Sequence, residues 1–153
     1  MKYIVLILTL IAFNAHADVE SIDVGAVSMH VTERTDGKAF NQIHQAFVLN
    51  FDNGVKVGYV ENSYSNGVLL AQKVIDTGTI LKPVVGVGVS KGDYCGNSFK
   101  YDGCMPLDIV VQQGEHFAYP LIHLETDSLN MGKFGVKGVI THSAIALSLQ
   151  VNF

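Results

Sequence analysis

Residues 144–153 read AIALSLQVNF, and this stretch decides the fold. Successive side chains of an extended strand point to opposite faces. Ile145, Leu147, Leu149, Val151 and Phe153 therefore share one face, and Ala144, Ala146, Ser148, Gln150 and Asn152 the other. A large apolar face opposed to a small or polar one is what a barrel strand in lipid shows. A strand of a soluble sandwich alternates too, so the pattern has to be followed along the chain.

Upstream the same period of two recurs, and no convincing helical period interrupts it. Over residues 24–33, Val27, Met29 and Val31 oppose Ala26, Ser28, His30 and Thr32. Over residues 44–52, Phe47, Leu49 and Phe51 oppose Ala46, Val48 and Asn50. Asp52-Asn53-Gly54 is a tight-turn signal, followed by strands over residues 55–62 and 67–75. Residues 77–79 turn the chain into a strand over 80–90, where Lys82, Val84, Gly86, Gly88 and Ser90 share a face. Segments 117–126, 134–142 and 144–153 complete the set. Segment 107–112 (LDIVVQ) would make a ninth strand, whereas single-chain bacterial barrels have even numbers. It is therefore assigned to an extended outer loop, with a hairpin to the residues after it. The expectation is an all-β, eight-stranded antiparallel up-and-down transmembrane barrel. With short turns inside and long loops (residues 34–43 and 91–106) outside, His30 and Ser63 both fall near the outer rim.

The N-terminus agrees with that destination. Lys2, an apolar run over residues 3–13 and Ala15-His16-Ala17 form a secretory signal peptide with an A-x-A cleavage site. The expected domains are a signal peptide over residues 1–17 and a barrel over residues 18–153, exported to the Gram-negative outer membrane. Ending on aromatic Phe153 resembles exported barrels of that membrane. Charged residues are 16% of the 153, against roughly 25% in an average soluble domain. Ten Lys and Arg against fourteen Asp and Glu leave no basic stripe for nucleic acid. Cys95 and Cys104 are the two cysteines, expected to close one loop as a disulfide in an oxidising compartment. No further ligand pair nearby suits a metal.

The inner faces are rich in Ala, Gly, Ser and Val, which leaves room for a slim ligand, although Lys56 and Lys82 also point inward. Here the sequence resembles the lipid A palmitoyltransferase (PagP) family. The resembling stretches are SMHVTE (28–33), FVLNF (47–51), VGYVENSYSNG (57–67), VGVGVSKGDY (85–94), AYPLIHLE (118–125) and the KFGVKGVITH to VNF ending. The family pattern places a His near the end of the first strand, and an acidic residue, a Ser and an aromatic at the top of the third. His30, Ser63 and Tyr64 occupy these positions, with Asn62 in the acidic one.

The resemblance implies an outer-membrane acyltransferase that moves a palmitoyl chain from a phospholipid to lipid A, with the chain in the lumen. It implies His30, Asn62 and Ser63 as the catalytic set. A neutral His30 imidazole suits a general base, the Ser63 hydroxyl a proton relay or an oxyanion donor, and Asn62 a hydrogen-bonding positioner. Glu61 should face the opposite side of its strand. His44, His116, His123 and His142 are expected at the surface or rim. The partners implied are membrane phospholipid and lipid A (lipopolysaccharide), with no nucleic acid, no cofactor and a monomeric chain. Two alternatives stay open. One is a non-enzymatic outer-membrane barrel with surface interaction loops, favoured by Asn62 in the acidic position and by the cysteine-closed loop; large side chains or salt bridges filling the lumen would defeat the acyl-binding reading and support this one. The other is a soluble periplasmic barrel or sandwich that binds an apolar ligand.

Overall fold

The computed structural model describes residues 17–31, 39–91 and 111–153. Ten strands follow in chain order: β1 (Val19–His30), β2 (Ile43–Phe51), β3 (Val55–Glu61), β4 (Gly67–Val74), β5 (Leu81–Lys91), β6 (Val111–Gln113), β7 (His116–Thr126), β8 (Leu129–Met131), β9 (Phe134–Ile140) and β10 (Ala144–Asn152). Eight of them, all but β6 and β8, form a closed antiparallel barrel. β1 pairs with both β2 and β10, and the ring closes where β7 meets β9 through Leu124↔Ile140 and Glu125↔Val139.

The expected strands are all present, with ends displaced by a few residues. β1 starts earlier than its apolar pattern, because Ser21 and Asp23 are polar inward residues. β6 pairs with the top of β7 across Gly114-Glu115, which is the outer hairpin expected after segment 107–112; residues 107–110 lie outside the described residues. β8 was not anticipated. Three residues around a Gly132 turn (φ 70°) pair with the start of β9, too short a run to leave a periodic trace. Residues 1–16 of the signal peptide expected over 1–17, and Cys95 and Cys104, also lie outside the described residues.

The two longest connections share one end, as expected, but the shorter ones do not sort by length. Residues 52–54, 75–80 and 127–133 turn the chain at one end, here called lower. The two longest connections, between β1 and β2 and between β5 and β6, leave from the upper end together with the 62–66 and 141–143 turns.

The distribution of polarity is the reverse of a soluble domain. Among the described residues, twelve polar or charged residues are buried and eight apolar ones. Meanwhile Val27, Met29, Ile43, Phe47, Leu69 and Leu147 each expose more than half of their surface on the outer face. On β10 the inward residues are Ala144, Ala146, Ser148 and Gln150, and the outward ones Ile145, Leu147 and Leu149.

A β-bulge in β1 is needed to keep its inner face continuous. The register with both β2 and β10 shifts between Asp23 and Gly25. Asp23 and Ala26 are three residues apart and would lie on opposite faces of a regular strand. The extra residue restores phase, so that Ser21 and Asp23 below the bulge and Ala26, Ser28 and His30 above it all turn to the lumen.

Two inward glycines allow the tight curvature. A Cβ on Gly58 would stand 2.2 Å from the Phe47 carbonyl oxygen, and one on Gly86 2.2 Å from that of Ala71. Both obstacles are neighbouring backbone, which has little freedom to yield. Gly58→Ala and Gly86→Ala are each expected to cost about 1–3 kcal/mol, the usual penalty of overpacking, read as a lower denaturant midpoint of the refolded barrel.

Candidate functional site

A layer of side chains fills the lumen at mid-height and separates an upper cavity from a lower one of about 610 Å³. The filling is ionic. Lys137 Nζ lies 2.8 Å from Asp23 Oδ2 and 3.4 Å from Glu125 Oε2, and Lys56 bonds Glu125 and lies 3.6 Å from Asp23 Oδ2. His123 Nε2 lies 3.0 Å from Glu125 Oε1. Asn50 Nδ2 donates to Asp23 Oδ1 at 3.0 Å. Two ammonium groups thus face two carboxylates and the formal charges cancel. Buried ions are tolerated when paired and hydrogen-bonded in this way. Below the cluster, Lys82 at the lower mouth reaches Asp127 at 2.6 Å, so both lysines expected to point inward do so.

Above the cluster is a cavity of about 300 Å³, open at the upper rim. Its walls are mostly apolar and small: Ala46, Val48, Val60, Val68, Leu121 and Ala146 are among them. Asp23, Lys56, Glu125 and Lys137 form its floor. The volume stands at the lower end of the range of small-molecule sites. Salt bridges therefore fill part of the barrel, and an apolar shaft remains over them.

Polar groups gather at the mouth of the shaft. His30 ends β1, and Ser63 begins the turn after β3. They are 33 residues apart in sequence, yet His30 Nε2 lies 2.7 Å from Ser63 Oγ. The β2–β3 hairpin, set by the DNG turn, carries Ser63 to the same height as the end of β1. Asn41 N, which donates to the Ser63 carbonyl at 2.9 Å, ties the two loops. The His30 ring stacks on Phe40 with centroids 4.1 Å apart, and Tyr64 meets Phe40 edge-on at 5.6 Å. His30 Nδ1 is buried without a hydrogen-bond partner among the described residues. Stacking on Phe40 thus holds the imidazole plane where a hydrogen-bonded acid often does. At the 141–143 turn, partial burial holds the His142 imidazole below its ordinary pKa.

Asn62 stands beside Ser63, but its oxygen is turned to its own loop. Oδ1 accepts from the backbone N–H of Tyr64 and of Asn66, both at 2.9 Å. This is the local Asx geometry that makes Asn a turn former. Its Nδ2 is buried with no partner among the described residues, so the side chain offers a donor, not an acceptor. Glu61 takes a hydrogen bond from Asn41 Nδ2 at 3.2 Å through its carboxylate.

Comparison with family models, with curated proteins and with solved structures returned no match.

One site residue escaped the sequence analysis. His44, expected at the surface or rim, is buried in the cavity wall, where its Nε2 lies 2.6 Å from Ser28 Oγ. The signal was present: His44 has the same parity as the inward Ala46 and Val48, and strand alternation alone turns it to the lumen. His123 is likewise drawn inward by Glu125.

Proposed function

We propose that this chain is an outer-membrane barrel enzyme that transfers a long acyl chain from a phospholipid to lipid A. The observation that carries this is the His30–Ser63 pair, 2.7 Å apart at the mouth of an apolar shaft with an ionic floor. The outer face supports the membrane setting, since contiguous exposed apolar surface of this extent marks contact with lipid or a partner. The acyl chain occupies the shaft with its ester in the upper part, beneath the His30–Ser63 pair. His30 accepts the proton of the attacking hydroxyl through Nε2, and Ser63 relays it. The partnerless Asn62 amide N–H supplies a donor for the negative charge that develops on the carbonyl oxygen. Asn62 cannot supply a carboxylate, so His30 works with stacking alone to fix its plane. Phe40→Ala is expected to lower turnover by up to about 10²-fold, the scale of a small misplacement of a reacting group, with little change in KM.

The test is direct. The refolded protein in detergent, given phospholipid with a labelled palmitoyl chain and lipid A, should yield lipid A heavier by one palmitoyl group. Lipid A from cells carrying the gene should show the same gain by mass spectrometry. Lipid A unchanged in both experiments would reject the transferase. The reading that remains is a barrel acting through its outer loops, which the amide at Asn62, with its oxygen engaged by its own loop, favours.

A further inference from the structure

A second serine–histidine pair lies one step deeper in the same shaft. Ser28 precedes His30 by two residues on β1, which sets it on the same face about 6–7 Å further down the strand. Its Oγ is 2.6 Å from His44 Nε2. The other ring nitrogen, Nδ1, is 3.0 Å from the backbone carbonyl oxygen of Glu61. A carbonyl only accepts, so Nδ1 carries the hydrogen and Nε2 carries the lone pair. The Ser28 hydroxyl therefore donates to His44. A serine, a base, and a third group that fixes the tautomer of the base make up the arrangement of an activated nucleophile. Here a main-chain carbonyl takes the place of the carboxylate. The pair at the mouth lacks this third group, because His30 Nδ1 has no partner among the described residues. Ser28 and His44 are 6% and 8% exposed, and both line the cavity. What reaches them comes through the shaft.

We propose that Ser28, activated by His44, is a nucleophile that carries the acyl chain as a transient ester. The proposal rests on the reading that the shaft holds an acyl chain. In the first half-reaction Ser28 Oγ attacks the carbonyl carbon of the donor ester, and its proton moves to His44 Nε2. The bond from that carbon to the donor's alkoxy oxygen breaks, and the alcohol leaves with the proton from His44. In the second half-reaction the acceptor hydroxyl, held by His30 and Ser63, attacks the Ser28 ester. The acceptor's proton passes to His30 Nε2 and from there, by way of His44 Nε2, to Ser28 Oγ, which restores the enzyme. The pair at the mouth serves the acceptor, and the deeper pair holds the acyl group.

The experiment treats the refolded full-length chain in detergent with a long-chain alkyl fluorophosphonate and maps the adduct by peptide mass spectrometry. Acyl transfer to lipid A is measured on the same preparation. The expected result is a phosphonyl adduct on Ser28, formed at least about a hundredfold more slowly in His44→Gln. Ser28→Cys, which alters the side chain least, should accumulate a palmitoyl thioester from phospholipid that hydroxylamine cleaves. An adduct on Ser63, no adduct at all, an unchanged labelling rate in His44→Gln, or no thioester in Ser28→Cys would each overturn the proposal. The two readings fail separately. A Ser28 adduct in a protein that transfers nothing to lipid A keeps the nucleophile and removes the transferase. Undiminished transfer by Ser28→Ala, with no Ser28 adduct in the unaltered protein, does the reverse.

Discussion

If the proposed transferase is right, His30→Ala is expected to lower transfer of a palmitoyl chain to lipid A by about 10²–10⁴-fold, the range associated with losing a positioned general base. Ser63→Ala falls in the same range, and the double variant is no slower than the worse single one. The reason is geometric. With His30 Nε2 and Ser63 Oγ 2.7 Å apart, the two act on one proton, and groups that act as a unit lose their effect together. The effect should appear in kcat, since neither side chain lines the deep apolar wall that holds the chain. A fold control is available in the barrel itself: both residues sit at the upper rim, away from the ionic cluster, so denaturant midpoints should stay close to the parent. Rates of the single and double variants, measured on refolded protein in detergent, check the prediction. Independent, multiplying losses would mean that the two groups serve different steps.

The second large effect is on stability. Glu125→Gln leaves Lys56 and Lys137 with Asp23 as their sole remaining carboxylate in the cluster. Removing one partner of a buried ionic set costs about 3–5 kcal/mol, because an uncompensated charge stays behind in a low dielectric. Unfolding by denaturant, followed by tyrosine fluorescence, should show that loss as a lower midpoint with an unchanged slope. The contrast is informative. Converting Lys56 to Met together with Glu125 to Leu removes one charge of each sign and should cost far less than the single change. If the single and double variants lose equally, the cluster is not held by pairing.

Most of the fold was legible because a barrel with an apolar outer face and a small or polar inner one repeats one simple rule. Large apolar side chains alternate with small or polar ones, and AIALSLQVNF, IHQAFVLNF and LKPVVGVGVS each obey it. The count of eight followed from that rule, from turn residues such as DNG, and from the even strand number of single-chain bacterial barrels, which put segment 107–112 in a loop. Alternation carries no information on shear, however. Asp23, Lys56, Glu125 and Lys137 sit on four different strands, and only barrel closure brings their charged groups into contact. The bulge at residues 23–25 did leave a trace, since Ile22 and Val24 alternate in one phase and Val27 and Met29 in the other, but reading the strand only from Val24 onward hides the break. At the site, the His30–Ser63 proximity was readable from strand direction and height. His44 was missed although its parity was visible, because a histidine near a strand start was taken for a rim residue. Its partner, the carbonyl of Glu61, is main chain and leaves no mark on the sequence at all.

The account depends on the outer apolar band facing hydrocarbon. The chain has no tryptophan, so single tryptophans placed by Leu147→Trp, Leu69→Trp and, at an exposed lower turn, Thr77→Trp report on their own surroundings. The measurement is fluorescence of each variant refolded into vesicles whose phospholipid acyl chains carry bromine, a contact quencher. Strong quenching at positions 147 and 69, with none at 77, is the predicted result. Unquenched emission at 147 and 69 from folded protein would contradict the membrane barrel, and with it the acyl-transfer chemistry built on its lumen.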